Sequence, residues 1–240
     1  MKILAFDTSN KPLAVAVVSD GNVLATLEST EKKTHSVTLL PDIQKVLTES
    51  NLVINDIDLI AVAKGPGSYT GVRIAVTVAK TLAFTLKKNL VGVSSLEVLA
   101  ADGDESKILV PLMDARNDNA FAGVYQMHSG ELVNLIEDHH TSMAKLLDLL
   151  KKYDSEKLEF INATDNLTDL IKKEYPEAVI LNAKDSLPKA GKLAKIAERK
   201  PVISDVDSFV PTYLRLTQAE HDWYEKGHKK DGNISYVEEV

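Results

Sequence analysis

The chain contains no cysteine, and that absence excludes a disulfide framework, a thiolate zinc site and a cysteine nucleophile. Long hydrophobic runs are also missing, since no stretch approaches the roughly 20 apolar residues that cross a membrane. The apolar run at the N-terminus breaks at Asp7, which makes it too short for a secretory leader. We therefore expect a soluble, cytoplasmic protein that makes no contact with a membrane.

Basic residues are scarce relative to acidic ones. The chain has 28 Lys and Arg against 35 Asp and Glu, which gives a formal net charge of −7. A protein that binds nucleic acid alone usually presents a basic face, because neutralising phosphates supplies most of the affinity. The composition therefore disfavours autonomous binding of RNA or DNA.

What the chain does contain is a pattern of strands and helices that occurs twice. In residues 1–103, three short β-type runs precede a helix, a buried strand, a long apolar helix, another strand and a third helix. Residues 104–210 show the same βββαβαβα order, and the first strand of each half ends at an aspartate, Asp7 or Asp114. This order is typical of the two-lobed α/β fold of actin and the sugar kinases (ASKHA fold), with a mixed sheet in each lobe. We predict one lobe in each half, with 211–240 packing back on the body as a tail.

In that architecture the two aspartates face each other across a cleft that holds a magnesium nucleotide. The residues at the matching positions are Asp7, Thr8, Ser9 and Asp114. Neither turn, DTSNKP or DARNDN, has the glycine that would let backbone amides approach a phosphate, so we interpret the cleft as degenerate. The alternative is an active ATPase or small-molecule kinase that uses Asp7 and Asp114.

The glycine-rich segment KGPGSYTGVR (64–73) lies between the buried strand and the long apolar helix. It matches neither the P-loop, which needs a lysine after its last glycine, nor the dinucleotide fingerprint, whose sixth position is Thr70 here. We interpret the glycines as a tight turn that begins a helix capped by Ser68 or Thr70. Binding of an anion at the helix start is the minor alternative.

The helix over about 71–86 is too apolar for an ordinary surface helix. Arg73, Thr77 and Lys80 lie on a narrow polar stripe that also contains Phe84, while apolar residues fill an arc of about 200°. Two interpretations fit this pattern: a helix sandwiched inside its own lobe, or a protein–protein interface.

No catalytic constellation is evident in the sequence. The histidines have no metal-binding spacing, and the G-x-S-x-G nucleophile elbow is absent. We therefore predict no catalytic residue, no metal site and no cofactor. A peptidase is a third hypothesis, and it has no motif to support it.

Several segments resemble the TsaB (YeaZ) family of bacterial tRNA-modification proteins: ILAFDTSN, THSVTLLPDI, DLIAVAKGPGSYTGVRIAVTVAKTLA, LVGVSSLEVLA and PTYLR. The resemblance implies a role in forming N6-threonylcarbamoyladenosine (t6A) at position 37 of tRNAs that read ANN codons. It implies a non-catalytic subunit that pairs with a TsaD-type paralogue, the enzyme that transfers the threonylcarbamoyl group, and that is joined by a TsaE-type ATPase. Alone, such a subunit forms homodimers, and it meets tRNA only indirectly, through the complex.

The resemblance also implies what two regions of the chain do. The metal-binding H-x-x-x-H of the catalytic paralogue falls on Ser95 and Leu99, neither of which can replace an imidazole ligand. The dimerising surface falls on the first two helices. The interface residues that it implies are His35, Ser36, Leu39, Leu40, Ile43, Tyr69, Thr70, Val72, Arg73, Val76, Ala79, Lys80 and Ala83.

Overall fold

The computed structural model describes residues 1–29, 35–186 and 189–215. In the first half the elements are β1 (Lys2–Asp7), β2 (Leu13–Ser19), β3 (Asn22–Ser29), α1 (His35–Glu49), β4 (Leu59–Ala63), α2 (Tyr69–Leu86), β5 (Asn89–Val93) and α3 (Ser95–Ala100). In the second half they are β6 (Ile108–Arg116), β7 (Asn119–His128), β8 (Glu131–Ser142), α4 (Met143–Leu150), β9 (Leu158–Ala163), α5 (Asp165–Glu174), β10 (Val179–Asn182) and α6 (Ala190–Ala197). Both halves have the predicted βββαβαβα order.

Each half forms one five-stranded mixed sheet. The strand orders are β3-β2-β1-β4-β5 and β10-β9-β6-β7-β8, which is the same topology read from opposite ends. The first strand of each half is central: β1 pairs antiparallel with β2 and parallel with β4, and β6 does the same with β7 and β9. Two sheets of one topology, each covered by helices, confirm the predicted two-lobed, actin-like α/β fold.

The first sheet is buried on both faces, which explains why β1 is almost continuously apolar. On one face, Phe6 belongs to a core shared with Leu39 of α1 and Ala79 of α2. On the other face, Ala5 belongs to a core shared with Leu193 of α6. Successive residues of a strand point to opposite faces, so this one strand supplies both cores.

The two halves exchange their last helices. Helix α6, from the second half, packs across β1, β2, β4 and β5 of the first sheet. Helix α3, from the first half, packs on the second sheet, where Leu99 shares a core with Leu109 and Ile161. The predicted lobes, 1–103 and 104–210, are contiguous in sequence, but in the structure each sheet is completed by a helix of the other half.

After α6 the chain returns to the first sheet. The N–H of Ile203 donates to the carbonyl of Leu90 at 2.8 Å, and the N–H of Thr212 donates to the carbonyl of Lys64 at 2.8 Å. The beginning of the predicted tail therefore packs on the body. The rest of that tail, from residue 216, lies outside the described residues. Within the described ranges, no helix is long and apolar enough to cross a membrane.

Candidate functional site

The glycine-rich loop before α2 packs against the turn that follows β1. The N–H of Ser68 donates to the carbonyl of Ser9 at 2.7 Å, and the Thr8 hydroxyl donates to the carbonyl of Gly71 at 2.7 Å. A Cβ atom on Gly71 would lie 2.0 Å from the Thr8 carbonyl oxygen, and one on Gly67 would lie 2.3 Å from that of Ser9. The glycines thus permit a close approach of two backbones. The Ser68 hydroxyl caps α2 by accepting from the N–H of Gly71 at 3.3 Å, so of the two predicted caps, Ser68 and Thr70, the structure uses the first.

The two aspartates form matching turns in the two halves. One carboxylate oxygen (Oδ1) of Asp7 accepts from the N–H of Ser9 at 2.7 Å, and that of Asp114 accepts from the N–H of Arg116 at 2.7 Å. The internal repeat therefore extends to the hydrogen bonds that end the first strand of each half.

The surroundings of the two aspartates differ, however. Asp7 is only 1% exposed, and its Oδ2 atom has no hydrogen-bond partner among the described residues. Burial raises the pKa of its carboxyl, and the hydrogen bond from Ser9 opposes that effect. Asp114 is exposed. A hydrated magnesium ion needs accessible carboxylates, and Asp7 does not offer one in this structure.

We expect Asp7→Asn to stabilise the protein at neutral pH. Because its pKa is raised by folding, the cost of burying Asp7 is absent below the unfolded pKa of about 3.9 and grows as the pH rises through the folded pKa. Asparagine matches the neutral acid and keeps an oxygen acceptor for Ser9. Each unit of pKa difference corresponds to about 1.4 kcal/mol.

Urea denaturation at about pH 4 and about pH 8 checks this expectation. The stability difference between Asp7→Asn and the wild type should widen at the higher pH. Asp114→Asn is the matched control, since it changes the equivalent turn at an exposed position. A difference for Asp7→Asn that does not change with pH would contradict the argument.

A cavity of about 900 Å³ opens between the two halves. Its walls include the turn after β1, the loop before α2 and the β6–β7 hairpin. Of the four predicted cleft residues, Ser9 and Asp114 line this cavity, whereas Asp7 and Thr8 are buried beside it. The structure therefore does not bring the two aspartates together in one open site.

The two positions that the resemblance matches to metal ligands lie in the protein interior. Ser95 and Leu99 of α3 are both buried, and Leu99 is part of the core beneath the second sheet. In the part of the chain that the structure describes, no three His, Cys, Asp or Glu side chains are grouped so that they could hold a metal ion.

Helices α1 and α2 lie side by side on the first sheet and share one core. Six of the predicted interface residues face that core and are buried, so they cannot contact a partner directly: Leu39, Ile43, Val72, Val76, Ala79 and Ala83. This corrects their assignment, because the small and branched residues of α2 serve to bring the helix close to its own sheet.

The remaining predicted residues lie on the outer side of these helices. Ser36, Leu40, Tyr69, Thr70 and Arg73 are exposed, while His35 and Lys80 are half-buried. His35 and Lys80 also contact the chain itself, at the carbonyls of Asn10 and Asp207 respectively.

Two large apolar side chains on the same outer side were missing from the sequence-based set. Val37 is 69% exposed, Phe84 is 66% exposed and Leu40 is 55% exposed. The signal for Phe84 was present in the sequence, because it is an aromatic residue within the polar stripe of α2. We call Val37, Leu40 and Phe84 the outer face of α1 and α2.

The topology and the site define a class: a two-lobed, actin-like protein whose first aspartate is buried away from the interlobe cleft. The family model described as "TsaD: tRNA N6-adenosine threonylcarbamoyltransferase" matches residues 22–223. The chain is 39% identical to the tRNA threonylcarbamoyladenosine biosynthesis protein TsaB of Bacillus subtilis, over 94% of this chain and 99% of that protein. It is 35% identical to TsaB of Escherichia coli over 52% of this chain and 55% of that protein.

A solved structure agrees with these sequence relatives. YeaZ from Pseudomonas aeruginosa superposes with a TM-score of 0.76 at 27% identity, covering 89% of this chain and 99% of that chain. The chain belongs to the TsaB (YeaZ) family, whose named members act in the biosynthesis of tRNA threonylcarbamoyladenosine.

Proposed function

We propose that this protein is a non-catalytic subunit required for t6A formation at adenosine 37 of tRNAs that read ANN codons. It binds a TsaD-type catalytic paralogue through the outer face of α1 and α2, and the pair recruits a TsaE-type ATPase. In the absence of the paralogue the same face pairs two copies of this chain.

The observation that carries the proposal is the outer face itself. Large apolar side chains are a liability on a surface that never meets a partner, and each contributes roughly 1.5–3 kcal/mol when it is removed from water. Val37, Leu40 and Phe84 lie on two adjacent helices that rest on a rigid sheet. Two such helix pairs can meet as a four-helix contact with an apolar centre and a polar rim.

The non-catalytic role is supported by the state of the positions where a catalyst would need metal ligands or an accessible carboxylate. Ser95 and Leu99 stand where the paralogue has metal-binding histidines, and both are buried. Asp7 is closed off from the cleft, which disfavours an ATPase or kinase that uses Asp7 and Asp114 together.

Reconstitution with one subunit omitted at a time tests the proposal. Unmodified tRNA, threonylcarbamoyl-adenylate, the TsaD-type subunit and the TsaE-type ATPase are incubated with or without this chain, and t6A is measured by mass spectrometry of nucleosides. We expect repeated turnover only in the complete mixture, and no t6A from this chain alone. Full activity without this chain, or transfer by this chain alone, would overturn the proposal.

A further inference from the structure

The interlobe cleft carries a charge opposite to that of the whole protein. Lys11, Arg116, Lys184 and Arg215 line the cavity together with a single carboxylate, Asp114, among the described lining residues. Lys184 also forms an exposed ion pair with Asp165 at 3.4 Å, a contact of the kind that is weak in water. The net charge of −7 thus conceals a local basic surface between the two halves.

Aromatic rings lie next to these cations. A second cavity, of about 410 Å³, shares Tyr69, Phe121, Arg116 and Arg215 with the first, and it adds Tyr213. The rings of Tyr69 and Tyr213 are stacked, with centroids 5.0 Å apart and planes inclined by 29°. Tyr69 is 47% exposed, so a ring face or edge remains open to a ligand.

A guanidinium group reinforces this aromatic surface. The Arg73 guanidinium lies 5.3 Å from the centroid of the Tyr69 ring and donates to its hydroxyl at 2.7 Å. Its charge therefore lies beside the Tyr69 ring, which lines both cavities. Cations along a groove combined with aromatic platforms are the arrangement by which proteins hold single-stranded nucleic acid.

The backbone argues against a pocket for a single nucleotide. A nucleotide site usually cradles phosphates with free amides of a glycine-rich loop. Here the amide of Ser68 is bonded to Ser9, that of Ser9 to Asp7 and that of Arg116 to Asp114. These three amides are therefore not available to a phosphate. The cations of the cleft come from four separate segments along an open groove, which suits several phosphates rather than one cluster.

We propose that the interlobe cleft and the adjoining Tyr69–Tyr213 surface bind a single-stranded segment of RNA. Lys11, Arg116, Lys184 and Arg215 face its phosphates, and bases stack on the exposed tyrosine and on Phe121. The identity of the RNA rests on the proposed function, which makes it part of the substrate tRNA. The inference revises the sequence-based expectation that this chain meets tRNA only through its partners.

Fluorescence anisotropy on the isolated full-length chain tests the inference. The probes are a labelled single-stranded RNA of about eight nucleotides and an unmodified tRNA anticodon stem–loop. We expect Lys11→Glu combined with Arg116→Asn to weaken binding at least about 10-fold, and to lower the salt dependence by about 0.7 for each cation removed. Asparagine is chosen because Arg116 has a left-handed backbone with φ of +68°, which asparagine tolerates.

The matched control is the double variant Lys172→Glu and Lys173→Glu, which removes two exposed cations from the end of α5, outside both cavities. It should bind RNA nearly as the wild type does. Tyr69→Ala should weaken binding while leaving the salt dependence unchanged, because it removes stacking and no charge.

Several results would overturn the inference. These are no RNA binding by the wild type, equal loss in the cleft and control variants, or displacement of the RNA by ATP or by an acidic peptide at equal concentration. Displacement by ATP assigns the cleft to a mononucleotide, and displacement by the peptide assigns it to a protein segment.

Lys11 and Arg116 lie off the outer face of α1 and α2. The Lys11 and Arg116 double variant should therefore associate with the TsaD-type subunit as the wild type does. This measurement separates failure of the RNA-binding inference from failure of the proposed function.

Discussion

Phe84→Arg is expected to leave the protein folded and to abolish its association with the TsaD-type subunit, whereas Ala79→Arg is expected to unfold it. The two positions lie about one turn apart on α2, yet Phe84 is 66% exposed and Ala79 is fully buried against the first sheet. Arginine at the exposed position should change stability by no more than about 0.5 kcal/mol. At the buried position it overfills the core and buries a charge, at a cost of several kcal/mol out of a total of about 5–15 kcal/mol.

The loss of partner binding follows from desolvation. If the outer face of α1 and α2 is the contact, a charge placed on it must be buried without a counter-ion. We expect a loss of at least about 2 kcal/mol, or roughly 30-fold, which is the effect of truncating a hot-spot residue. Leu40→Arg on α1 should behave in the same way.

Sedimentation velocity with the TsaD-type subunit measures the association, and circular dichroism on heating measures the fold. Leu149→Arg is the matched control, because Leu149 is a partly exposed leucine on α4 in the second half. If Phe84→Arg and Leu40→Arg bind as the wild type does, or if Leu149→Arg loses binding equally, the outer face is not the interface.

Gly71→Ala is expected to destabilise the protein by about 3 kcal/mol or more. In an ordinary helix this change is favourable by about 1 kcal/mol, since alanine loses less backbone entropy. Here the new methyl group would lie 2.0 Å from the carbonyl oxygen of Thr8 and 3.1 Å from its carbonyl carbon. Both atoms belong to the backbone, so α2 would have to move away from the turn after β1 and break the bond from the Thr8 hydroxyl.

Urea denaturation of Gly71→Ala and Gly21→Ala together separates steric clash from backbone strain. Gly21 has a φ of +78°, and a Cβ atom there would meet nothing within 4 Å, so its substitution should cost only about 1 kcal/mol. Equal losses in the two variants would show that the close approach at Gly71 is easily relieved, and would contradict the role that we assign to the loop.

The sequence allowed the order of elements, the internal repeat and the two aspartate turns to be predicted, because each depends on neighbouring residues. The inner and outer sides of α2 could not be separated, since periodicity gives an apolar arc but not which part of it a sheet covers. The reason for Gly71 lies at Thr8, more than 60 residues away in the chain. The basic cleft likewise brings together Lys11, Arg116 and Lys184 from distant segments of the chain. The net charge could not indicate it, because that value sums all residues and does not show where the cations cluster.

The exchanged helices impose an order on folding during synthesis. Among the described residues, the apolar face of the first sheet that includes Ile3, Ala16 and Val91 is covered mainly by α6, and Val98 of α3 belongs to the same core. About 100 residues separate the end of β5 from α6, which at 5–20 residues per second is roughly 5–20 s of translation. During that time the nascent chain has an apolar sheet face that lacks its main covering helix. We therefore expect the first half to need chaperone protection at the ribosome, and a chain that stops before residue 190 to aggregate although all five strands of its first sheet are present.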